Sequence, residues 1–222
     1  MMLIVRLFPK EDLEDCWHRI LNSFDEMHNE NCTPLYISRQ EEKDFMSIMY
    51  DVKDIDSFAD VLVRKIPSAA NSEKTRTITL LKPVFFPAPK ERPEQLERYQ
   101  VAMRVASDEL DDVFNHVIHL DYSVDLFPTY AAYSFGEDDI LVSMLSKSRE
   151  ELTAFVKKKI ESQKGVLGVD IARINMSKRL APLEMWRRYR EDKYLFKPYD
   201  GFEDYDFTEQ ALISGAFAKD LE

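Results

Sequence analysis

Six residues have the types and spacing for binding chemistry: Ser134, Gly136, Asp138 and Asp139 within SFGEDD, and two arginines, Arg6 and Arg104. A glycine turn with free N–H groups holds a carboxylate, while an aspartate pairs with an ammonium. The plain alternative is a hairpin turn, because Gly and Asp favour turns for backbone reasons alone. Arg6 and Arg104 each stand in a mostly apolar run. A buried arginine needs an acidic partner, supplied either by an anionic ligand or by the protein's own carboxylate.

Other chemistries are poorly supplied. His116 and His119 are three apart on one predicted helix, a spacing that places two imidazoles on a shared metal. No cysteine or third histidine lies nearby, Asp112 and Asp121 are further donors, and the plain reading is a pair of surface histidines. The same plain reading applies to His18, beside Arg19, and His28 is the remaining histidine. Cys16 lies on the inward stripe of a predicted helix beside Trp17, where a buried, inert thiol is expected. Cys32 stands in a loop with no visible catalytic partner, and no Gly-x-Ser-x-Gly elbow occurs. No catalytic residue, cofactor or metal is therefore assigned. The triplet Lys157, Lys158, Lys159 reads as a solvated helix face.

Composition narrows the partners. The 222 residues carry 41 acidic and 30 basic side chains, a formal charge of −11. Such a surface repels phosphate backbones, so no direct nucleic-acid binding is expected. The five glycines never take the spacing of a Gly-rich phosphate loop. Two cysteines exclude a disulfide framework. No apolar run approaches the roughly 20 residues of a membrane span, and the N-terminus lacks a signal peptide's basic region. The expectation is a cytoplasmic protein that does not engage membranes.

The elements that must position these residues come in two copies. A proline-rich connector, KPVFFPAPKERPE, separates LIVRLFPKEDLEDCWHRIL from QVAMRVASDELDDVFNHVI, and the halves align at an offset of about 97. Arg6 aligns with Arg104, and Trp17 with Phe114. Strands are expected at Leu3–Phe8 and Val101–Ala106, each followed by a helix with an acidic first turn, Ser107 serving as N-cap in the second. In the second half two further strands, Tyr130–Phe135 and Ile140–Leu145, flank the Gly136 turn. A helix over about 150–162 and a last strand, Val169–Met176, complete it. The first half repeats the plan, with Ile55, Phe58, Leu62 and Ile66 marking its second helix and Thr75–Leu81 its last strand.

The predicted fold class is α+β: two tandem ferredoxin-like β-α-β-β-α-β units packed sheet to sheet as a pseudo-dimeric α/β barrel. Each unit leaves one sheet face without helices, and alternation assigns Met46, Ile48, Ala131 and Tyr133 to it. The expected division is a degenerate first repeat (1–83), a connector (84–98), a second repeat (99–182) and an aromatic, acidic extension (183–222). Helices are expected at Glu184–Tyr194 and Thr208–Ala218. The extension either clasps the body or a neighbouring subunit, or ends as a disordered acidic tail.

The second half resembles the Lrp/AsnC effector-binding (RAM) domain. The likeness rests on the strand and acidic helix start, the SFGEDDILV hairpin, and the IESQKGV entry to the last strand. The first half follows more weakly, with RQEEKD where the turn glycine is expected, so at most one working site per chain is expected unless Asp44 substitutes for the turn aspartate. The resemblance implies a small-molecule effector, such as an amino acid, held near Gly136, Asp138 and Asp139. Family members carry a winged helix-turn-helix, which is not expected before Met1 here. A sensing module would then act through assembly, as a homo-oligomer, or through a partner protein that reads DNA. The alternative implied by related barrels is an enzyme, monooxygenase-like or a haem-linked decarboxylase.

Overall fold

The computed structural model describes residues 1–86, 89 and 91–182. The two helices expected in the extension lie outside these residues. The described chain forms two compact units. The first gathers Met1–Leu81 with the segment beginning at Asn175, and the second is built on Lys82–Ile174.

In the first unit the order is β1 (Met2–Pro9), α1 (Leu13–Asn22), α2 (Phe24–Met27), β2 (Cys32–Gln40) and β3 (Met46–Val52). Then follow α3 (Ile55–Asp60), a π-helical stretch (Val61–Lys65), α4 (Ile66–Ala70) and β4 (Ser72–Phe85). Its strands pair antiparallel as β4-β1-β3-β2. The α3 start is fixed by Asp54, whose carboxylate accepts the Ser57 N–H at 2.8 Å. At the other end Asn71, in the left-handed region at φ 47°, ends α4 and turns the chain into β4. The segment from Asn175 closes the unit: Leu180 donates its N–H to the Leu35 carbonyl at 2.9 Å and packs on the core.

The second unit repeats the plan with β5 (Glu97–Val105), α5 (Leu110–Ile118), β6 (Leu126–Phe135), β7 (Ile140–Ser146), α6 (Arg149–Lys159) and β8 (Val166–Arg179). Its strands pair as β8-β5-β7-β6, again antiparallel. Ser148 caps α6 by accepting the Glu151 N–H. Ser107 does not cap α5: residues 107–109 form a turn, the Glu109 N–H goes to the Ala106 carbonyl, and Glu109 occupies the cap position. The lysine triplet of α6 is exposed, as expected.

Each unit has its own apolar core between helices and sheet, and here one expectation is corrected. Met46 and Ile48 pack with Trp17, Ile20, Phe58 and Ile66, and Ala131 and Tyr133 pack with Phe114 and Val117. All four face the helices. Alternation shows which residues share a face but not which face is covered. The helix-free faces carry the intervening residues: Ile4, Arg6, Tyr36, Ser38, Ser47 and Met49 in one unit, Gln100, Ala102, Ala132, Ser134, Leu141 and Ser143 in the other, all buried. Among the described residues, no helix is long and apolar enough to cross a membrane.

Candidate functional site

Strand register brings the sequence-predicted residues onto one line. Arg104 of β5 stands opposite Gly168 of β8. On its other side, Asp139 donates its N–H to the Met103 carbonyl and accepts the Ser134 N–H, both at 2.8 Å. The row across the second sheet is therefore Ser134, Asp139, Arg104, Gly168. The first sheet has the equivalent row Ser38, Ser47, Arg6, Arg76, read from the pairs Ser38–Ser47, Arg6–Ser47 and Arg6–Arg76. Gly136 and Asp138 lie in the loop that joins β6 to β7.

The roles within the second row differ. One oxygen of the Asp139 carboxylate accepts the Val105 N–H at 2.8 Å and so pins the end of β5. The Ser134 hydroxyl is enclosed, the residue only 5% exposed, and it has no hydrogen-bond partner. An orphaned buried hydroxyl costs about 1–3 kcal/mol. Arg104 is exposed and makes no ion pair among the described residues. Its guanidinium lies across Gly168, where an added Cβ would come within 2.7 Å of Nη2.

The two arginines thus differ, although both were expected in buried runs. Arg6 is 7% exposed and its guanidinium sits 4.7 Å from the centre of the Phe45 ring. Phe45 in turn contacts Phe8, over which Lys74 and Arg76 lie at 5.5 Å each. Beyond this aromatic end a cleft of about 460 Å³ opens, lined by Glu11, Asp12, Asp44, Glu73, Lys74 and Phe8 among others. Asp44 is among the residues that line this cleft. Glu11 is already engaged by Arg19 at 3.0 Å and Asn71 at 2.8 Å.

The histidines do not assemble a metal centre. His116 donates to the Lys159 carbonyl at 2.8 Å and His119 to the Asn115 carbonyl at 2.7 Å. Among the described residues no group of three metal-ligating side chains converges. Both cysteines are buried, including Cys32, which lies in β2 and not in a loop. Burial pushes the Cys16 thiol up to about 12 and raises that of Cys32 as well. Native protein at pH 8 is expected to react negligibly with a thiol-specific disulfide reagent, and fully in guanidinium. Because the folded thiols hold their protons above the ordinary value near 9, their contribution to stability is complete below that pH. It declines between about 9 and 12, where the unfolded chain alone deprotonates. Denaturant titrations at pH 8 and 10 check this; equal midpoints would contradict it.

Sequence reasoning missed Gly168 and the serines Ser38 and Ser47. Gly168 would have carried a signal, since an isolated glycine inside a strand marks a close approach, but the expected strand began at Val169 whereas β8 begins at Val166. The serines carried none, because nothing local distinguishes them from solvated strand positions.

No protein-family model matches the sequence, and no curated protein matches it. Solved structures do. The siroheme decarboxylase NirDL superposes with a TM-score of 0.57 at 10% identity, covering 86% of this chain and 78% of that one. A monooxygenase-type protein from Lactobacillus acidophilus gives 0.50 at 10% identity, over 81% and 96%. Escherichia coli AsnC gives 0.31 at 14% identity, over 36% and 51%. At these identities the first two likenesses show the fold: α+β, tandem ferredoxin-like units of the dimeric α/β-barrel class.

Proposed function

We propose that the protein binds a carboxylate-bearing small molecule on the helix-free face of its second unit and acts on it as an enzyme of the dimeric α/β-barrel class. Arg104 takes the carboxylate, Ser134 donates to a second acceptor on the ligand, and Asp139 with the Gly136–Asp138 loop frames the end of the row. The observation that carries this reading is the Ser134 hydroxyl, buried without a partner on the same row as an arginine that makes no ion pair among the described residues. A ligand that accepts from Ser134 removes the penalty of the orphan and neutralises the cation. The likeness to a siroheme decarboxylase and to a monooxygenase-type protein supports catalysis over sensing.

An iron tetrapyrrole held through a sheet histidine does not fit. None of the eight strands among the described residues contains a histidine, so neither described sheet presents an imidazole to the metal. A carboxylated macrocycle would be bound by its acid groups, as substrate.

A sensing role, with effector binding coupled to assembly or to a DNA-reading partner, is the second reading. It is favoured by the SFGEDDILV hairpin and by Gly165, whose positive φ of 88° makes the tight entry to β8. Thermal shift and titration with carboxylates, amino acids and uroporphyrin III test the binding core of both readings. A rise in melting temperature lost in Ser134→Ala and Arg104→Gln is the expected result, and no response to any carboxylate overturns it. Loss of a carboxyl group or gain of an oxygen by a bound compound, followed by mass spectrometry, separates enzyme from sensor. Light scattering with and without ligand reports on the expected homo-oligomer.

A further inference from the structure

The second row also dictates how long the ligand must be. Ser134 of β6, Asp139 immediately before β7, Arg104 of β5 and Gly168 of β8 stand side by side across the sheet. Adjacent strands are about 4.8 Å apart, so Ser134 and Gly168 are roughly 14 Å from each other. The Arg104 side chain does not lean back toward Ser134. It extends the other way, over β8, because Gly168 offers no side chain to obstruct it.

The equivalent row of the first unit shows what happens without that glycine. There the position opposite the arginine is Arg76, and the Arg6 guanidinium turns instead toward Phe45 on the β3 side. One arginine is spread toward the strand that lacks a side chain, and its counterpart is directed away from the strand that has a cationic one.

We infer that Gly168 positions Arg104, and that the ligand is an extended acid whose two acceptor groups are separated by roughly 8–14 Å, the span between the two donors less their hydrogen-bond reach. A free amino acid or short hydroxy acid is too short to meet both. This inference rests on the carboxylate reading above and names the class of substrate for that site: long dicarboxylates or polycarboxylates of macrocycle dimensions.

A homologous series of straight-chain α,ω-dicarboxylates from succinate to sebacate, titrated calorimetrically against the whole chain, tests it. Sebacate is expected to bind at least tenfold more tightly than succinate. In Gly168→Ala the new methyl meets only the flexible end of Arg104, so the fold survives, the guanidinium is displaced, and the preference falls to within about twofold. The rate at which phenylglyoxal modifies Arg104, read by peptide mass spectrometry, should change at least twofold in the same variant. Equal binding of succinate and sebacate overturns the span while leaving the carboxylate reading intact. Unchanged Arg104 reactivity in Gly168→Ala overturns the positioning role whether or not any diacid binds. Failure of every diacid to bind overturns the carboxylate reading and the substrate class together.

Discussion

Replacing Gly165 by alanine is expected to lower the melting temperature by about 10 °C, with two causes acting at one atom. The backbone there has φ +88°, a region where an L side chain costs roughly 1–2 kcal/mol. An added Cβ would also stand 2.3 Å from the Cβ of Glu109 and 2.7 Å from its Cγ. Glu109 cannot withdraw cheaply, because it occupies the cap position of α5 and its carboxylate is paired with Lys164. Relieving such an overlap adds about 1–3 kcal/mol. The Gly165 carbonyl accepts the Ala106 N–H at 2.8 Å, so any shift propagates to the junction of β5 and α5. Gly168→Ala is the internal control: its nearest neighbour is the mobile end of an arginine, and its melting temperature should stay within about 2 °C of the parent. A loss smaller than 3 °C for Gly165→Ala, by calorimetry at equal protein concentration, would show that the turn relaxes around a methyl group.

The second large effect separates the two equivalent arginines. Arg6→Ala is expected to destabilise by about 2–4 kcal/mol, since it removes a buried side chain stacked on Phe45 and leaves a cavity on the sheet. Arg104→Ala should melt within about 2 °C of the parent, because the side chain is exposed and makes no ion pair among the described residues. Its effect should appear in binding: loss of one charge-assisted hydrogen bond, about 1.5–3 kcal/mol, weakens carboxylate affinity roughly 10- to 100-fold. Parallel melts and sebacate titrations of the two variants give a crossed pattern. If Arg104→Ala were the less stable of the two, or Arg6→Ala the weaker binder at full foldedness, the assignment of roles would be reversed.

Much of the architecture was legible in the sequence because it is written in local terms. The strand at Leu3–Phe8, the stripe Cys16–Trp17–Ile20 and the turn at Gly136 depend on period and turn chemistry, and each lies where those rules place it. What was not legible depends on neighbours distant in sequence. Met46 and Tyr133 were assigned to the wrong face because a period of two is symmetric between faces, and only the helices decide between them. Ser107 has the better capping side chain, yet the Glu109 N–H is drawn to the Ala106 carbonyl and the helix starts later. Arg6 and Arg104 look alike in apolar runs. Their difference lies in Arg76 and Gly168, 70 and 64 residues further along the chain, placed beside them only by register.

The two units are unequal in how the chain supplies them. The second is continuous from Lys82 to Ile174, whereas the first needs a segment that begins at Asn175. A ribosome delivers the chain N-terminus first, and domains generally fold as units during synthesis. All four strands of the N-terminal unit emerge early, within Met2–Phe85, while the residues around Leu180 that bond Leu35 arrive only after the second unit has been made. The first-made part of the chain is therefore finished at the Leu35 strand by some of the later-made residues.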